Sequence, residues 1–415
     1  MLPVQTDVLI VGAGPTGLAL AAVLRKAGVD HVLIEAREDA QNTSRAAVVH
    51  AHTLEMLGGI DVVDELEARG ITLSHFTVRD RDQALLDLSF DQLPSHFRHL
   101  LMVPQSTTEA VLEERLTALG GAVHRGVAAL GAVAQTDGAA VRVKTAAGEQ
   151  IVQARYVVGA DGMHSAVREA AGIAFDGADD AESFILADVR MAWPYGAREV
   201  SMFFSPAGPV VVAPLPDGSY RVVATLENAP AEPGVADIQR LLDTRGPVAS
   251  CRVTEVGWAS RFRVHHRLAE TYRRGPFLLM GDAAHVHSPA GGQGMNTGLV
   301  DAIVLGEALT RVLREGEPET VLDDYARTRR PAAAQVLALA SRLTRVATVR
   351  SVAVRRMRNL ALRVLNRLPA FKRMLALGFS GIARRRFSVL PKTGPAINAR
   401  QQRRPALVAE HRLAR

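Results

Sequence analysis

The segment VQTDVLIVGAGPTGLALAAVLRKAGVDHVLIE, residues 4–35, constrains the fold more than any other part of the chain. Residues 4–11 read as a short buried strand. Gly12, Gly14 and Gly17 then give G-x-G-x-x-G, with Pro15 inside it. Residues 15–28 continue with helical apolar spacing (Leu18, Ala21, Ala22, Leu24), and residues 31–34 read as a second strand ending at Glu35. Each part has a physical task. Gly12 permits a tight turn, Gly14 lets backbone approach a pyrophosphate, and Gly17 lets helix and strand pack closely. The helix N-terminus offers free N–H groups and the positive end of its dipole to phosphates. Glu35 stands 18 residues after Gly17, where an acid accepts hydrogen bonds from a ribose hydroxyl. Strand, glycines, helix, strand and acid in this order predict a Rossmann-type unit that binds a dinucleotide. They do not choose between FAD and NAD, and Glu35 argues only against a 2′-phosphate at this site.

Two later segments repeat the strand-to-helix turn. ARYVVGADGMHSAVR, residues 154–168, reads as a strand, a turn at Asp161-Gly162 and the start of a helix. By itself it also fits an ordinary turn capped by Asp161. FLLMGDAAHVHSPAGGQGMNTGLVDA, residues 277–302, places Asp282 at a strand end, then Pro289, Gly291, Gly292, Gly294 and Gly298 ahead of an apolar helix. At such a strand end a carboxylate can hold a ribityl or ribose hydroxyl. The glycine loop can lie against a flat ring, where side chains would collide. A helix starting near Met295 aims N–H groups at that ring, which suits the negative charge a reduced flavin carries at its N1/O2 edge.

GAGPTG, GADG and GDAAH…P…GGQGMNTG, in this order and spacing, resemble the group A flavoprotein monooxygenases of the para-hydroxybenzoate hydroxylase fold, over residues 4–330. SRAAVVHAHTLEML (with Arg45 and Glu55), VPQSTTEAVL (with Gln105), Arg37 and VGWASRF (with Trp258) extend the resemblance. The resemblance implies an α/β chain in which a Rossmann-type FAD domain carries an inserted antiparallel substrate sheet and a C-terminal helical segment. It implies non-covalent FAD, NAD(P)H as a transient co-substrate, and O2. A flavin C4a-hydroperoxide then hydroxylates an apolar, aromatic or polycyclic small molecule. Epoxidation of an alkene or polyene, a same-fold flavin oxidoreductase without oxygen insertion, and a flavin-bearing binding protein remain alternatives. Halogenation is disfavoured because W-x-W-x-I-P is absent. The resemblance assigns FAD contacts to Gly12, Gly14, Pro15, Gly17, Glu35, Arg37, Arg45, Gln105, Asp161, Gly162, Asp282, Pro289, Gly292, Gly294, Met295 and Asn296. In the family, the segment holding Asp161, Gly162 and Arg168 is linked to both FAD and the nicotinamide cofactor.

The expected organisation is an FAD domain in three pieces (1–73, 101–182 and 271–330), a substrate sheet in two (74–100 and 183–270) and a basic helical region at 331–415. Short β-rich runs punctuated by Pro and Gly at 183–264 carry the sheet expectation. Phe203, Phe204 and Tyr220, with Trp193, are candidates to line the substrate pocket, against the plainer reading that they are core. No catalytic base is evident. His287 is the candidate for proton transfer, His285 is expected to be structural, and His265-His266 to lie on the surface. No acid or cysteine clusters with these histidines, so no metal site is expected.

Composition narrows the setting. One cysteine, Cys251, excludes a disulfide framework or a cysteine-rich metal centre. The N-terminus lacks a signal-peptide pattern, and no run of about 18 uninterrupted apolar residues exists, so a cytoplasmic setting is expected. Residues 331–415 hold 19 Lys/Arg and a single acid, Glu410, while residues 1–330 hold 30 basic and 42 acidic residues. The basic region reads either as helices with a solvated basic face or as an amphipathic segment in peripheral contact with an anionic membrane. Nucleic-acid binding has support only from Gln401–Arg404 and is not expected.

Overall fold

A computed structural model describes residues 2–39, 46–226, 229–230, 232–288 and 291–391, with 178–182 and 262–264 described by their backbone alone. The first strand, Gln5–Val11, is buried along its apolar run and lies between two parallel neighbours, His31–Glu35 and Gly148–Gly159. Gly148–Gly159 in turn pairs in parallel with Phe277–Leu279. Parallel strands end at the same edge of a sheet. The three motif-bearing strands are therefore adjacent, and their carboxyl ends deliver Gly12, Asp161 and Asp282 to one side. That edge is where open α/β sheets take ligands. The helices Pro15–Lys26 and Gln293–Arg314 pack against each other and bury Leu18, Leu20, Leu299 and Leu305 over this sheet.

The second sheet has eight strands. Its order runs His285–Val286, Arg252–Ala269, Phe175–Ala192, Tyr220–Leu226, Val210–Pro214, Glu199–Phe203, His75–Asp80 and Gln83–Ser89. All its pairings are antiparallel except that of Glu199–Phe203 with His75–Asp80, which is parallel. The 75–89 hairpin thus joins the sheet from a distant part of the chain.

Three expected boundaries fall inside single elements: 100/101 in the strand Leu100–Met102, 182/183 in Phe175–Ala192, and 330/331 in the helix Thr320–Ala347. That helix runs straight through Pro331, a residue that usually ends one. Neighbouring arginines hold it in place, with Arg330 Nε donating to the Ala269 carbonyl at 2.9 Å and Arg329 Nη1 to that of Phe387 at 2.8 Å. A helix also interrupts the β-rich stretch at Val235–Arg245, where Asp237 accepts from the backbone N–H of Gly234 at its N-terminus. Among the described residues no helix is long and apolar enough to cross a membrane.

Candidate functional site

A cleft of about 450 Å³ lies between the two sheets, the volume scale of a small-molecule site. At one end it is floored by the carboxyl edge of the parallel sheet. Gly14, Pro15, Thr16, Arg37, Gln105, Gly162, Gly281 and Asp282 line that end. The helix beginning at Pro15 opens on Gly14 with no side-chain cap, so its first N–H groups face the cleft unclaimed by a side chain. A Cβ on Gly14 would meet nothing within 4 Å, which leaves open space in the cradle.

Gly12 and Gly17 do a different job from Gly14. Neither lines the cleft. Gly12 has φ +102°, and a Cβ there would lie 2.4 Å from the Ala160 carbonyl oxygen. A Cβ on Gly17 would lie 1.9 Å from the Gly12 carbonyl oxygen. Both are close-approach positions that shape the turn. Glu35 also stands just behind the lining. Its Oε2 accepts from the Ala13 N–H at 2.9 Å and its Oε1 from the Arg37 N–H at 3.1 Å. Each oxygen keeps lone-pair capacity for a further donor. Asp161 is behind the lining too, where Oδ2 accepts from the Val167 N–H at 3.2 Å and Oδ1 has no partner. Burial pushes this carboxyl above its ordinary value.

The glycine loop forms the middle of the cleft. Gly291, Gly292, Gly294 and Met295 line it. Gly292 sits at φ +62°, and a Cβ there would come within 2.3 Å of Val48 Cγ1. Asn296 is turned away from the cleft and works as a clamp. Its Nδ2 donates to the carbonyls of Val48 and Gly292, both at 2.8 Å, and its Oδ1 accepts from the His50 N–H at 2.8 Å. Its side chain therefore positions the loop. Arg45 and Pro289 lie outside the described residues.

Beneath the loop lies a buried charge cluster that no motif signalled. Asp301 Oδ2 is 2.6 Å from His285 Nε2 and accepts from the Gly281 N–H at 3.3 Å, while Asp301 Oδ1 accepts from Arg329 Nε at 2.7 Å. The Asp301 and His285 side chains have no solvent exposure. Burial alone would raise the Asp301 carboxyl, but Arg329 and His285 outweigh it and hold the group below its ordinary value. The cluster fixes the turn that presents Asp282 to the cleft.

The far end of the cleft is apolar. Phe76, Leu100, Met102, Phe184, Val200, Met202, Val211, Ala213, Val223 and Phe379 line it, with Arg221 at its edge. The strands alternate strictly. Met202, Val211 and Val223 face the cleft, whereas Phe203, Val210, Val212 and Val222 fill a separate core on the opposite face. Phe203 therefore does not line the pocket; its ring lies 5.9 Å from that of Trp193, and Tyr220 packs 6.0 Å from Trp193 in the same core. Phe204 is buried near Phe76 and Met202 but lies outside the lining, with the Arg358 guanidinium 4.9 Å from its ring centre. The phase of the alternation turns Phe203 and Tyr220 to the opposite face, whereas Phe204, in phase with Met202, lies just past the strand end at Phe203 and packs beside the lining.

Two histidines bordering the loop are neutral at ordinary pH. Burial, reinforced by Arg384, pushes His50 down to about 3. Burial likewise pushes His287 down to about 4, against the opposing effect of the Ser288 carbonyl, which its Nδ1 meets at 2.8 Å. Both line the cleft, and so does the half-buried His265. A histidine depressed in the folded state takes up its proton preferentially when unfolded. Stability from this pair is therefore complete above the unfolded value of about 6.5 and declines as pH falls toward 4, with a limiting slope of about 1.4 kcal/mol per pH unit for each group. Urea titrations at stepped pH should show this decline, and His50→Asn/His287→Asn should flatten it. Among the described residues no group of three or more His, Cys, Asp or Glu is placed to hold a metal.

The chain matches the FAD binding domain family over residues 5–340. It is 34% identical over 395 residues to 6-methylpretetramide 4-monooxygenase of Streptomyces rimosus, covering 92% of this chain and 71% of that one. Pentachlorophenol 4-monooxygenase of Sphingobium chlorophenolicum is 35% identical over 346 residues, covering 80% and 63%. The crystal structure of p-nitrophenol 4-monooxygenase from Pseudomonas putida DLL-E4 superposes with a TM-score of 0.83 at 25% identity, covering 92% of this chain and 98% of that one.

Proposed function

This chain belongs to the group A FAD-dependent aromatic monooxygenases, and from that premise we propose that it hydroxylates an apolar aromatic or polycyclic small molecule, seated against the second sheet. The protein binds FAD and works with NAD(P)H and O2. The observation carrying the substrate class is the cleft itself. A nucleotide-type cradle at Gly14, Arg37 and Asp282 is continuous with a wall of Phe76, Val200, Met202, Val211, Val223 and Phe379.

When bound, FAD supplies the redox and oxygen-transfer chemistry, with electrons from NAD(P)H. The chain's residues bind, orient and exclude water. In this reading the N–H groups following Gly14 take the pyrophosphate, Glu35 takes the adenosine ribose, and Arg37 stands on the adenosine side. Asp282 holds the ribityl chain. The loop from Gly291 to Met295 receives the flavin's pyrimidine edge, where the N-terminus of Gln293–Arg314 favours negative charge. Gly12, Gly17, Asp161 and Asn296 set this geometry from behind. The apolar wall keeps water from the reacting end. His287, neutral with its Nε2 unpartnered, is the candidate to accept a proton there.

Two experiments check the reading. Under 18O2, an accepted aromatic substrate should accelerate NAD(P)H oxidation and leave as product carrying one labelled oxygen. Consumption that no aromatic accelerates, with no label in any product, would contradict it. Asp282→Ala should fold normally but bind FAD about ten- to a hundredfold more weakly, from a lost charged-acceptor hydrogen bond of roughly 1.5–3 kcal/mol. Unchanged FAD affinity by fluorescence titration would place Asp282 elsewhere.

A further inference from the structure

The basic C-terminal region contains a helix that packs inward through Asn359 and Leu362 and leaves most of its apolar residues outside. Val352–Leu365 buries a single residue, the polar Asn359, whose Nδ2 donates to Asp80 Oδ2. Arg358 lies over Phe204 and donates to the carbonyls of Val346 at 2.8 Å and Ala347 at 3.2 Å. Just past the helix, Asn366 Oδ1 accepts from the Asp87 N–H at 3.0 Å. These contacts pin the inward face to the 75–89 hairpin. Met357, Leu360, Val364 and Leu368 are 71%, 61%, 53% and 49% exposed. Met357, Leu360 and Val364 recur at helical spacing and form one stripe, and Leu368 lies just past the helix end. Arg356, Arg363 and Arg367, all exposed, fall along one edge of that stripe.

We infer that this stripe docks peripherally on an anionic membrane surface. Its inward side, with Asn359 and Leu362, is already packed on the body of the protein, so the outer stripe has no core left to enter. An anchored helix with an apolar stripe and an arginine edge matches the interfacial mode of lipid binding. Charge selects the occupant. Residues 331–391 carry 13 Lys/Arg and no acid. A second copy of this face, or residues 392–415 with their six Lys/Arg and one acid, would bring like charge against it. Anionic headgroups would complement it. The position also matters. The following helix, Pro369–Phe379, ends on the residue that lines the apolar end of the cleft. A substrate dissolved in the bilayer would thus lie one helix away from the chamber. The inference is separable from the proposed chemistry, because flavin content and turnover are measured without lipid.

The test is co-sedimentation of the full flavin-loaded chain with vesicles of phosphatidylcholine alone or mixed with phosphatidylglycerol. The expected result is pelleting with the anionic vesicles, little with the neutral ones, and release by salt. Leu360→Glu/Val364→Glu should keep flavin content and unfolding midpoint while lowering binding more than tenfold. Arg356→Gln/Arg363→Gln/Arg367→Gln should lower it about a hundredfold. Absence of pelleting with anionic vesicles overturns the inference, as does binding by both variants equal to that of the parent chain. A dimer seen by analytical ultracentrifugation that Leu360→Glu/Val364→Glu dissociates also overturns it, by assigning the face to a second copy.

Discussion

Arg329→Met is expected to lower the unfolding free energy by about 3–5 kcal/mol, because it strands a carboxylate where water cannot reach it. Asp301 has no solvent exposure, and Arg329 is the fixed cation on its Oδ1 at 2.7 Å. Methionine roughly fills the side-chain volume but leaves Asp301 with only His285 and the Gly281 N–H. The second variant identifies the cause. Adding Asp301→Asn removes the stranded charge, so Arg329→Met/Asp301→Asn should recover part of the loss. The acid side follows by linkage. A carboxyl held low in the folded state adds stability above its unfolded value near 4, and that stability is lost as pH falls through the folded value. Arg329→Met should blunt this acid sensitivity. Because Gly281 neighbours Asp282, flavin should also be released at lower urea in the single variant. Urea titrations followed by far-UV circular dichroism and flavin fluorescence measure both effects. A loss below about 0.5 kcal/mol, the usual range for a surface change, would mean the cluster is not the keystone of the turn.

Gly12→Ala should be comparably damaging for a different reason. The new Cβ would meet the Ala160 carbonyl oxygen at 2.4 Å and its carbon at 2.7 Å, and both are backbone atoms that cannot swing aside. The positive φ adds strain for any L side chain. Strain and overpacking each cost about 1–3 kcal/mol. The expected outcome is a destabilised chain that purifies without flavin. Gly14→Ala is the informative contrast. Its Cβ has open space, so the fold should persist with a normal unfolding midpoint. Flavin affinity should still fall, because the methyl group would occupy the cradle proposed for the pyrophosphate. A Gly14→Ala protein that binds FAD as tightly as the parent would contradict that placement.

The nucleotide half of the cleft was legible in the residues because its signals are local. Glycines, one acid and a strand-to-helix switch occur within a few positions of each other, and parallel pairing of Gln5–Val11, Gly148–Gly159 and Phe277–Leu279 brings the three sets together. Even there, sequence spacing could not separate residues that face the cleft, such as Gly14 and Asp282, from those that shape it from behind, such as Asp161 and Asn296. The substrate half was less legible. Phe203 was a pocket candidate, but a one-residue change of phase exchanges the two faces of a strand, and only the register puts Met202 in the cleft instead. The Asp301–Arg329–His285 cluster was hidden because Asp301 meets partners 16 and 28 residues away. A lone acid in the apolar run LVDAIVL was the available hint. Helix Val235–Arg245 went unread among Pro- and Gly-punctuated β runs. In Val352–Leu365 the apolar period was plain, but not the fact that it faces away from the body.

The most direct test of oxygen activation at this cleft is rapid mixing of the anaerobically reduced, flavin-loaded protein with oxygenated buffer, followed by absorbance. The account predicts a transient whose spectrum matches neither reduced nor oxidised flavin, lengthened by an aromatic ligand that seals the apolar end. Direct return to oxidised flavin, with and without such ligands, would contradict it.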